Sequence, residues 1–447
     1  MSKLTGKKSL LVAVGTGVIT LSLPACMVAQ TPGEIPTALE GLHRNLWTRC
    51  IAEPQGLVLD YTLGGDPDLL PTAEEATAGK PNAISWWTPL ENGAFFTGLY
   101  LDGILRRQAL TKSGEDREKA RRLARGLMLC ASVGTTPGFV ARGVLADGKS
   151  HYGIGSDDQT APWFYGLWRY LRSDIHNLEE KKEITAKLVE VAEAIRANGW
   201  QMPCDPVGIL EPGQFRGGWN GHDYRSVTRL LFVARIIFEL TGDPGWKATY
   251  EQALVEKLPN GLTRPEVAAR GIPGEWEEHP QLAIDHIYIY VVSQAMMAEL
   301  RTLEGRPEVT DLYTASLRTS AQAVAHQMPP ELTRLGTKPF RTDWRVMNTL
   351  WQPQSSVGEA VDIALKQLTL WQNGGRNIEA QVLREPFCAA WISALSPEAH
   401  REEILTQLER SFDTVAWDKV SSSAGFFGEC AWYAASEKAS PRAEAVP

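Results

Sequence analysis

Two carboxylate-bearing turns that run directly into apolar segments are the parts of this sequence best suited to chemistry. In residues 85–105 (SWWTPLENGAFFTGLYLDGIL), Glu91 follows a pair of tryptophans. In residues 153–171 (GIGSDDQTAPWFYGLWRYL), Asp157 and Asp158 stand at the start of the apolar run. Carboxylates on separate turns can act as a general acid and a general base or nucleophile, so these three residues are the candidate catalytic groups.

The two aspartates also have a structural explanation, whereas Glu91 has little structural need. Aspartate is a good N-cap and is stabilised by the positive end of a helix, so we expect either Asp157 or Asp158 to cap and the other to face a cleft. Asn92 and Gly93 can cap the first segment without Glu91. Desolvation of Glu91 beside tryptophan would raise its pKa, as a general acid requires.

The same arrangement recurs along the chain. Further copies begin at Gly217, Glu275 and Phe340, and intervals of about 65 residues separate the polar centres. These centres are Glu91, Asp158, His222, His286 and Trp351. Such an interval fits an inner helix, an outer helix and their loops. The predicted apolar helices cover 93–110, 159–173, 223–240, 283–300 and 356–372.

Charged amphipathic helices alternate with these apolar ones. A helix that is apolar all round must be buried, whereas a helix with one charged face lies outside. With candidates at 39–51, 384–394 and 426–436, the chain predicts an all-α fold, an (α/α)6 toroid or barrel of helical hairpins over residues 35–437. A short-repeat solenoid is the alternative, although these copies share only a pattern. The charged helices are predicted at 117–133, 178–198, 244–258, 309–328 and 398–412.

In such a toroid, the loops that lead into the inner helices meet at one end. Their side chains suit a sugar, because tryptophan stacks on its C–H faces while polar groups hold its hydroxyls. The 15 tryptophans exceed the 12 phenylalanines and 11 tyrosines, although tryptophan also fills large cores. The predicted substrate-binding residues are Trp86, Trp87, Asn92, Gln159, Trp219, His222, Asp223, Arg225, Trp276, His286, Arg341 and Trp344.

Some of these candidates have simpler roles. Asp223 can be an N-cap with His222 a surface residue. His279, Asp285 and His286 lack the spacing of a known metal motif, and the QNGGRN segment lacks the strand that a phosphate loop needs. We therefore predict no metal and no cofactor.

The bulk composition limits partners and location. A net charge of −8 over 447 residues argues against nucleic acid. Residues 1–30 resemble a signal peptide, and the LPAC sequence ending at Cys26 resembles a lipoprotein box, so we predict export to the periplasm or the medium, with a lipid anchor as an alternative. No permanent membrane span is expected, and residues 438–447 are predicted to be disordered.

Five cysteines remain after removal of the signal, which favours buried thiols over a disulfide framework, with one bridge as the alternative.

One sequence resemblance bears on function. A W-T-x-G-F-F-x-G type segment leads into an inner helix in the six-hairpin glycosidase superfamily, most notably in the unsaturated glucuronyl and rhamnogalacturonyl hydrolases. This chain resembles those proteins, or a secreted sister family, over residues 80–300. The matching residues are Trp87, Thr88, Gly93, Phe95, Phe96 and Gly98, with Asp158 closest to the family's catalytic aspartate.

The resemblance implies hydration of the C4=C5 double bond in a terminal unsaturated uronyl residue. Asp158 would protonate C4 and then activate water for attack at C5, without a metal. Arg225 or Arg341 would pair with the substrate carboxylate through a bidentate fork.

Three other functions remain open. An ordinary glycosidase would use Glu91 and Asp158, with about 5 Å between them for retention or about 6.5–9.5 Å for inversion. A toroid-type polysaccharide lyase would need a base such as Tyr152 or His222. A sugar-binding protein would use the acids only as caps. The sequence leaves the sugar, the linkage and the oligomeric state open.

Overall fold

Among the residues that the structure describes, helices make up 65% and strands 4%, so the predicted all-α class is confirmed. The computed structural model describes residues 34–62, 69–208, 210–283, 286–328, 330, 332–335, 343–373 and 376–437. The described residues from Ile35 onward cluster as one compact unit. The predictions for residues 1–30, for Cys26 and for the tail 438–447 lie outside the described residues.

Seventeen α-helices occur in the described residues. A π-helical turn, Ala380–Arg384, leads into one of them, and 3-10 turns cover Ile287–Tyr290 and Trp344–Leu350. The helices are α1 Thr37–Arg49, α2 Ala73–Thr77, α3 Gly93–Thr111, α4 Gly114–Cys130, α5 Asp157–Leu171, α6 Leu178–Ala197, α7 Tyr224–Thr241, α8 Pro244–Val255, α9 Arg264–Ala269, α10 Gly271–Glu278, α11 Val291–Leu303, α12 Pro307–Val324, α13 Val357–Asn373, α14 Arg376–Glu379, α15 Glu385–Ala394, α16 Arg401–Thr414 and α17 Gly425–Ser436.

Two short antiparallel sheets support the loops. Strands β1 (Ile51–Ala52) and β2 (Leu57–Val58) form the first sheet and precede α3. Strands β3 (Gln201–Pro203) and β4 (Phe215–Gly218) form the second sheet, between α6 and α7. Both sheets are too small to build a core layer, so helix packing carries the fold.

Buried helices and one-sided helices alternate along much of the chain. Six helices are buried over most of their length: α3, α5, α7, α11, α15 and α17. The charged helices α4, α6, α12 and α16 bury only one stripe. Helix α3 packs against α5 and α17, α7 against α11, and α15 against α11 and α17. The sequence pattern predicted this division because an all-apolar surface cannot face water.

The prediction of an inner helix at 356–372 is wrong. Helix α13 buries a single stripe that includes Ala360, Ala364 and Gln367, while Leu365 is 53% exposed. It packs on the Trp344–Leu350 turn instead of on the long buried helices. Its apolar residues exceed what one stripe can bury, which made it resemble an inner helix. The next buried helix is α15, so the interval of about 65 residues ends after α11.

Helices α3 and α5 approach closely through glycine. A Cβ on Gly98 would lie 2.1 Å from the carbonyl oxygen of Pro162, and one on Gly166 would lie 2.6 Å from the carbonyl oxygen of Gly98. Backbone atoms cannot move aside as the end of a side chain can. The two glycines therefore set the distance between these helices.

Gly98→Ala is expected to destabilise the protein by at least about 1–3 kcal/mol, because the methyl group must push α5 away. Denaturant unfolding measures this change. Gly114→Ala is the matched control, since a Cβ there meets nothing within 4 Å. It should be neutral or stabilise the protein by about 0.4–1 kcal/mol. Equal stability of the two variants would contradict the close approach.

A buried ion-pair cluster joins three of the long helices. Asp102 of α3, which is fully buried, accepts hydrogen bonds from Arg106 Nε at 2.9 Å and Arg169 Nε of α5 at 2.7 Å. Arg169 also bonds Glu299 of α11. Burial alone would raise the pKa of Asp102, but the two guanidinium groups lower it to about 2. Asp102 is thus an anion that α3 and α5 share.

The remaining sequence expectations concern cysteine and the membrane. The five cysteines after residue 30 are all buried and unbridged. Burial raises their pKa values, as for Cys130, whose pKa rises to about 12. Among the described helices, none combines the length and the apolar character needed to cross a bilayer.

Candidate functional site

A cavity of about 350 Å³ opens beside the turns that precede α3, α5 and α11, and α13 forms part of its wall. This volume is typical of a small-molecule site. Its aromatic and charged lining residues are Trp86, Trp87, Tyr288, Trp371, Asp60, Glu91, Arg142, Asp158 and Arg384. The other described residues of the lining are Asn92, His286, Leu365, Leu368, Gln372, Ala380 and Gln381.

The turn that carries the two tryptophans is held in an unusual conformation. Trp87 has a φ of +76° and Ser85 a φ of +59°, although neither is glycine. Such backbone costs about 1–3 kcal/mol and clusters at functional sites. Its neighbours enforce it: the carbonyl of Trp87 accepts a 2.6 Å hydrogen bond from Tyr61, and Trp87 Nε1 donates to the carbonyl of Ala364 at 3.2 Å. The fold therefore maintains the position of this turn against local preference.

Glu91 lies on the same turn and reaches the cavity. Its Oε2 accepts a hydrogen bond from the backbone N–H of Trp87 at 2.8 Å. The neighbouring Asn92 is nearly buried, and its backbone and side-chain N–H groups both donate to Asp60 at 2.8 Å. Gln159 Nε2 donates a 3.1 Å hydrogen bond to Asn92 Oδ1, and Gln159 does not line the cavity.

Asp158 also lines the cavity, as do the carboxylates of Asp60 and Glu91. Its side chain is 26% exposed, and it accepts a short hydrogen bond from Ser156. Arg142 Nη2 lies 3.8 Å from its Oδ1. Burial acts to raise the pKa of Asp158, but Arg142, Arg216, the Ser156 hydroxyl and Arg229 together lower the pKa to about 2. At neutral pH Asp158 is therefore an anion, the form in which a carboxylate can attack as a nucleophile.

The structure separates the roles of the two adjacent aspartates. Asp157 forms an ion pair with buried Arg229 and does not line the cavity. The expectation that one of the pair is the N-cap is wrong, because Ser156 occupies that position and both aspartates lie in the first turn of α5. The start of the helix thus leaves Asp158 for the cavity and uses Asp157 in packing.

The arginines near the cavity differ from those predicted. Arg225 donates to Glu275 at 2.6 Å and does not line the cavity, so it does not present a free fork there. Arg341 lies outside the described residues. Arg142 and Arg384 line the cavity instead, and the Arg216 guanidinium lies 5.8 Å from the ring centre of Trp86.

The other predicted contacts lie away from this cavity. Trp219 and Trp344 are fully buried, and Trp344 Nε1 donates to the carbonyl of Leu69 at 2.6 Å. Trp276 packs on Tyr290. His222 is exposed, and Asp223 is the N-cap of α7, accepting from the backbone N–H of Ser226 at 3.0 Å. His286 does line the cavity, together with Trp86, Trp87 and Asn92.

Several lining residues were missed by sequence reasoning. Tyr288 stands two residues after His286, so its position was available from the sequence. Trp371 and Arg384 come from α13 and from the π-helical turn, which no local pattern placed near α3. A π-helical turn is itself common at functional sites. Burial raises the pKa of Tyr288, so its phenol keeps its proton.

The bases and ligands of the alternative functions are arranged differently. The Tyr152 hydroxyl is nearly buried and donates to the carbonyl of Lys80 at 2.5 Å. Neither Tyr152 nor His222 lines the cavity. Asp285 lies outside the described residues. Within the described part of the chain, no group of three or more His, Cys, Asp and Glu side chains could hold a metal.

The fold and the site together define an all-α protein with a cavity lined by tryptophans, three carboxylates and arginines. Neither a protein-family model, nor a curated protein, nor a solved structure matches the chain. The chemistry of the cavity is therefore the basis for a function.

Proposed function

We propose that this protein is a carbohydrate-active hydrolase that binds the end of an oligosaccharide in the 350 Å³ cavity. The observation that carries the proposal is Asp158, an ionised and partly exposed carboxylate in a cavity walled by Trp86 and Trp87. Stacking surfaces beside an anionic acid-base group are what sugar hydrolysis requires. The strained Trp87 backbone adds support, because the fold maintains it at a cost.

The proposed architecture is an (α/α)6 toroid within one domain over residues 35–437. Its support is the order of helix contacts: α3 touches α5, α5 touches α7, α7 touches α11, α11 touches α15, α15 touches α17, and α17 touches α3. A closed series of six buried helices has a common end where their entry turns meet. Glu91, Asp158 and Tyr288 all belong to such turns.

Within this class, an ordinary glycosidase fits the charge of Asp158 best. Asp158 would be the base or nucleophile, and Glu91 would be the second carboxylate of the pair. The three positive groups around Asp158 keep it ionised, the form that a nucleophile requires, although they also weaken it as a base. The group that donates the first proton must be protonated before the reaction begins. Asp158 is ionised in the free site, so it does not fit that role.

Hydration of an unsaturated uronyl residue is the second candidate, and the arginines favour it. Arg216 and Arg142 are the two largest positive influences on Asp158. A substrate carboxylate bound near them would offset their charge and raise the pKa of Asp158. Asp158 could then take up the proton that hydration delivers to C4.

Assaying the wild-type protein on oligosaccharides made by a polysaccharide lyase tests the proposal. A rise in reducing ends with the ultraviolet absorbance of the unsaturated uronyl group retained indicates an ordinary glycosidase. Loss of that absorbance indicates hydration. A saturated oligosaccharide of the same sugars is the control, since only a glycosidase should cleave it. If both signals stay constant across a panel of neutral and acidic sugars, the hydrolase proposal is wrong.

A further inference from the structure

Arg142 connects the two turns that carry the candidate carboxylates. Its Nη1 donates to the carbonyl of Glu91 at 2.9 Å, and its Nη2 donates to Ser156 Oγ at 3.0 Å. Its own carbonyl accepts a 2.7 Å hydrogen bond from the backbone N–H of Ala94 at the start of α3. A single residue, which is only 2% exposed, therefore bridges the turn before α3 and the start of α5.

The bridge continues to the candidate catalytic group. Ser156 donates its hydroxyl to Asp158 Oδ1, and Arg142 Nη2 itself lies 3.8 Å from that oxygen. The chain of contacts thus runs from the Glu91 carbonyl through Arg142 and Ser156 to Asp158. A rigid planar fork can bond two separated acceptors at once, which the single nitrogen of lysine cannot do in the same way.

Other buried arginines of the protein are bonded differently. Arg106 and Arg229 each contact a carboxylate directly, at Asp102 and Asp157. Arg142 has no carboxylate within hydrogen-bonding distance among the described residues, and its Nε has no partner there. Leaving a buried cation without a bonded anion is costly, so packing alone does not explain this residue. The carboxylate nearest its guanidinium belongs to the cavity.

We propose that Arg142 is a positioning residue that orients the Asp158 carboxylate, through Ser156, relative to the Glu91 turn. The inference rests on the proposed function for its catalytic consequence. The contacts themselves do not depend on it. Two effects follow, one from the geometry of the fork and one from its charge.

Several charged or titratable groups surround Asp158. Arg142, Arg216 and Arg229 lower its pKa. Asp157, Glu91 and Tyr288 lie in the same surroundings, and Asp60, His286 and Arg384 line the same cavity. Because Arg142 is the largest of the three positive influences, its removal should raise the pKa of Asp158 the most.

Arg142→Lys and Arg142→Gln separate the two effects. The lysine variant keeps the charge but loses the fork, so kcat should fall about 100-fold with KM within a few-fold of wild type. The glutamine variant should also raise the pKa of Asp158 by about 1–3 units and shift the acid limb of kcat/KM upward by the same amount. Arg49→Lys is the matched control, because Arg49 Nη1 also joins two loop carbonyls, of Trp417 and Val420, outside the cavity.

The pKa of Asp158 can be read without activity, from the ¹³C titration of labelled aspartate carboxyl groups, with Asp158→Asn identifying the signal. An upward shift in Arg142→Gln, and none in Arg49→Lys, supports the inference even if no sugar is cleaved. An inactive wild type would contradict the proposed function alone. An unmoved Asp158 titration in Arg142→Gln, or an unchanged kcat in an active Arg142→Lys, would overturn the positioning role.

Discussion

Asp158→Asn is expected to lower kcat for release of the terminal sugar by about 10²–10⁴-fold, while the affinity for the oligosaccharide stays within a few-fold. The amide keeps the shape of the side chain but cannot accept the proton or attack as a nucleophile. The neighbouring arginines then face a neutral group, and this change lowers kcat more than it lowers the affinity for the oligosaccharide. Initial rates of reducing-end release, measured at saturating substrate, give kcat directly.

Asp157→Asn is the matched control for this prediction. Asp157 holds buried Arg229 and lies outside the cavity, so its loss should lower the stability and leave kcat close to wild type at low temperature. An inactive Asp157→Asn that remains folded, beside an active Asp158→Asn, would reverse the assignment. Equal rates for wild type and Asp158→Asn would remove the catalytic role.

Asp102→Asn is expected to destabilise the fold by about 3–5 kcal/mol, because Arg106 and Arg169 would then be buried without their shared anion. Asp102 is fully buried and bonds both guanidinium groups. Chemical denaturation at neutral pH measures the loss. Asp174→Asn is the control: Asp174 is 73% exposed and 3.7 Å from Arg117, so its pair should contribute less than about 1 kcal/mol.

The same carboxylate predicts how stability depends on pH. Its pKa is lowered from 3.8 to about 2 in the folded protein. The unfolded chain therefore binds the proton more readily, and the stabilisation is present above pH 3.8 and lost as the pH falls toward 2. Asp102→Asn should be less sensitive than wild type to acid between these values. Parallel pH profiles for the two proteins would contradict the shared-anion account.

Much of the fold could be predicted from helix periodicity. The apolar runs at α3, α5 and α7 and the charged faces of α4 and α6 determined which helices are buried, because burial follows from the side chains alone. Helix α13 could not be placed in this way. Its apolar residues pack on a turn and line a cavity, and this depends on parts of the chain far away in sequence.

The candidate site divides in the same manner. Trp86, Glu91 and Asp158 were found because each stands at the entry to an apolar helix, where a local pattern is informative. Arg142 and Arg384 were missed, since an isolated arginine in a loop or a π-helical turn carries no local signal. Trp219 was wrongly predicted to bind the substrate, because tryptophan fills cores as readily as it lines sites.

A crystal structure of Asp158→Asn with a bound oligosaccharide would show whether this cavity is the catalytic site. We expect the terminal sugar ring in the 350 Å³ cavity, stacked on Trp86 or Trp87, with its glycosidic oxygen within reach of Glu91 and of residue 158. If the wild type cleaves this oligosaccharide but the variant binds it outside the cavity, the cavity is not the catalytic site.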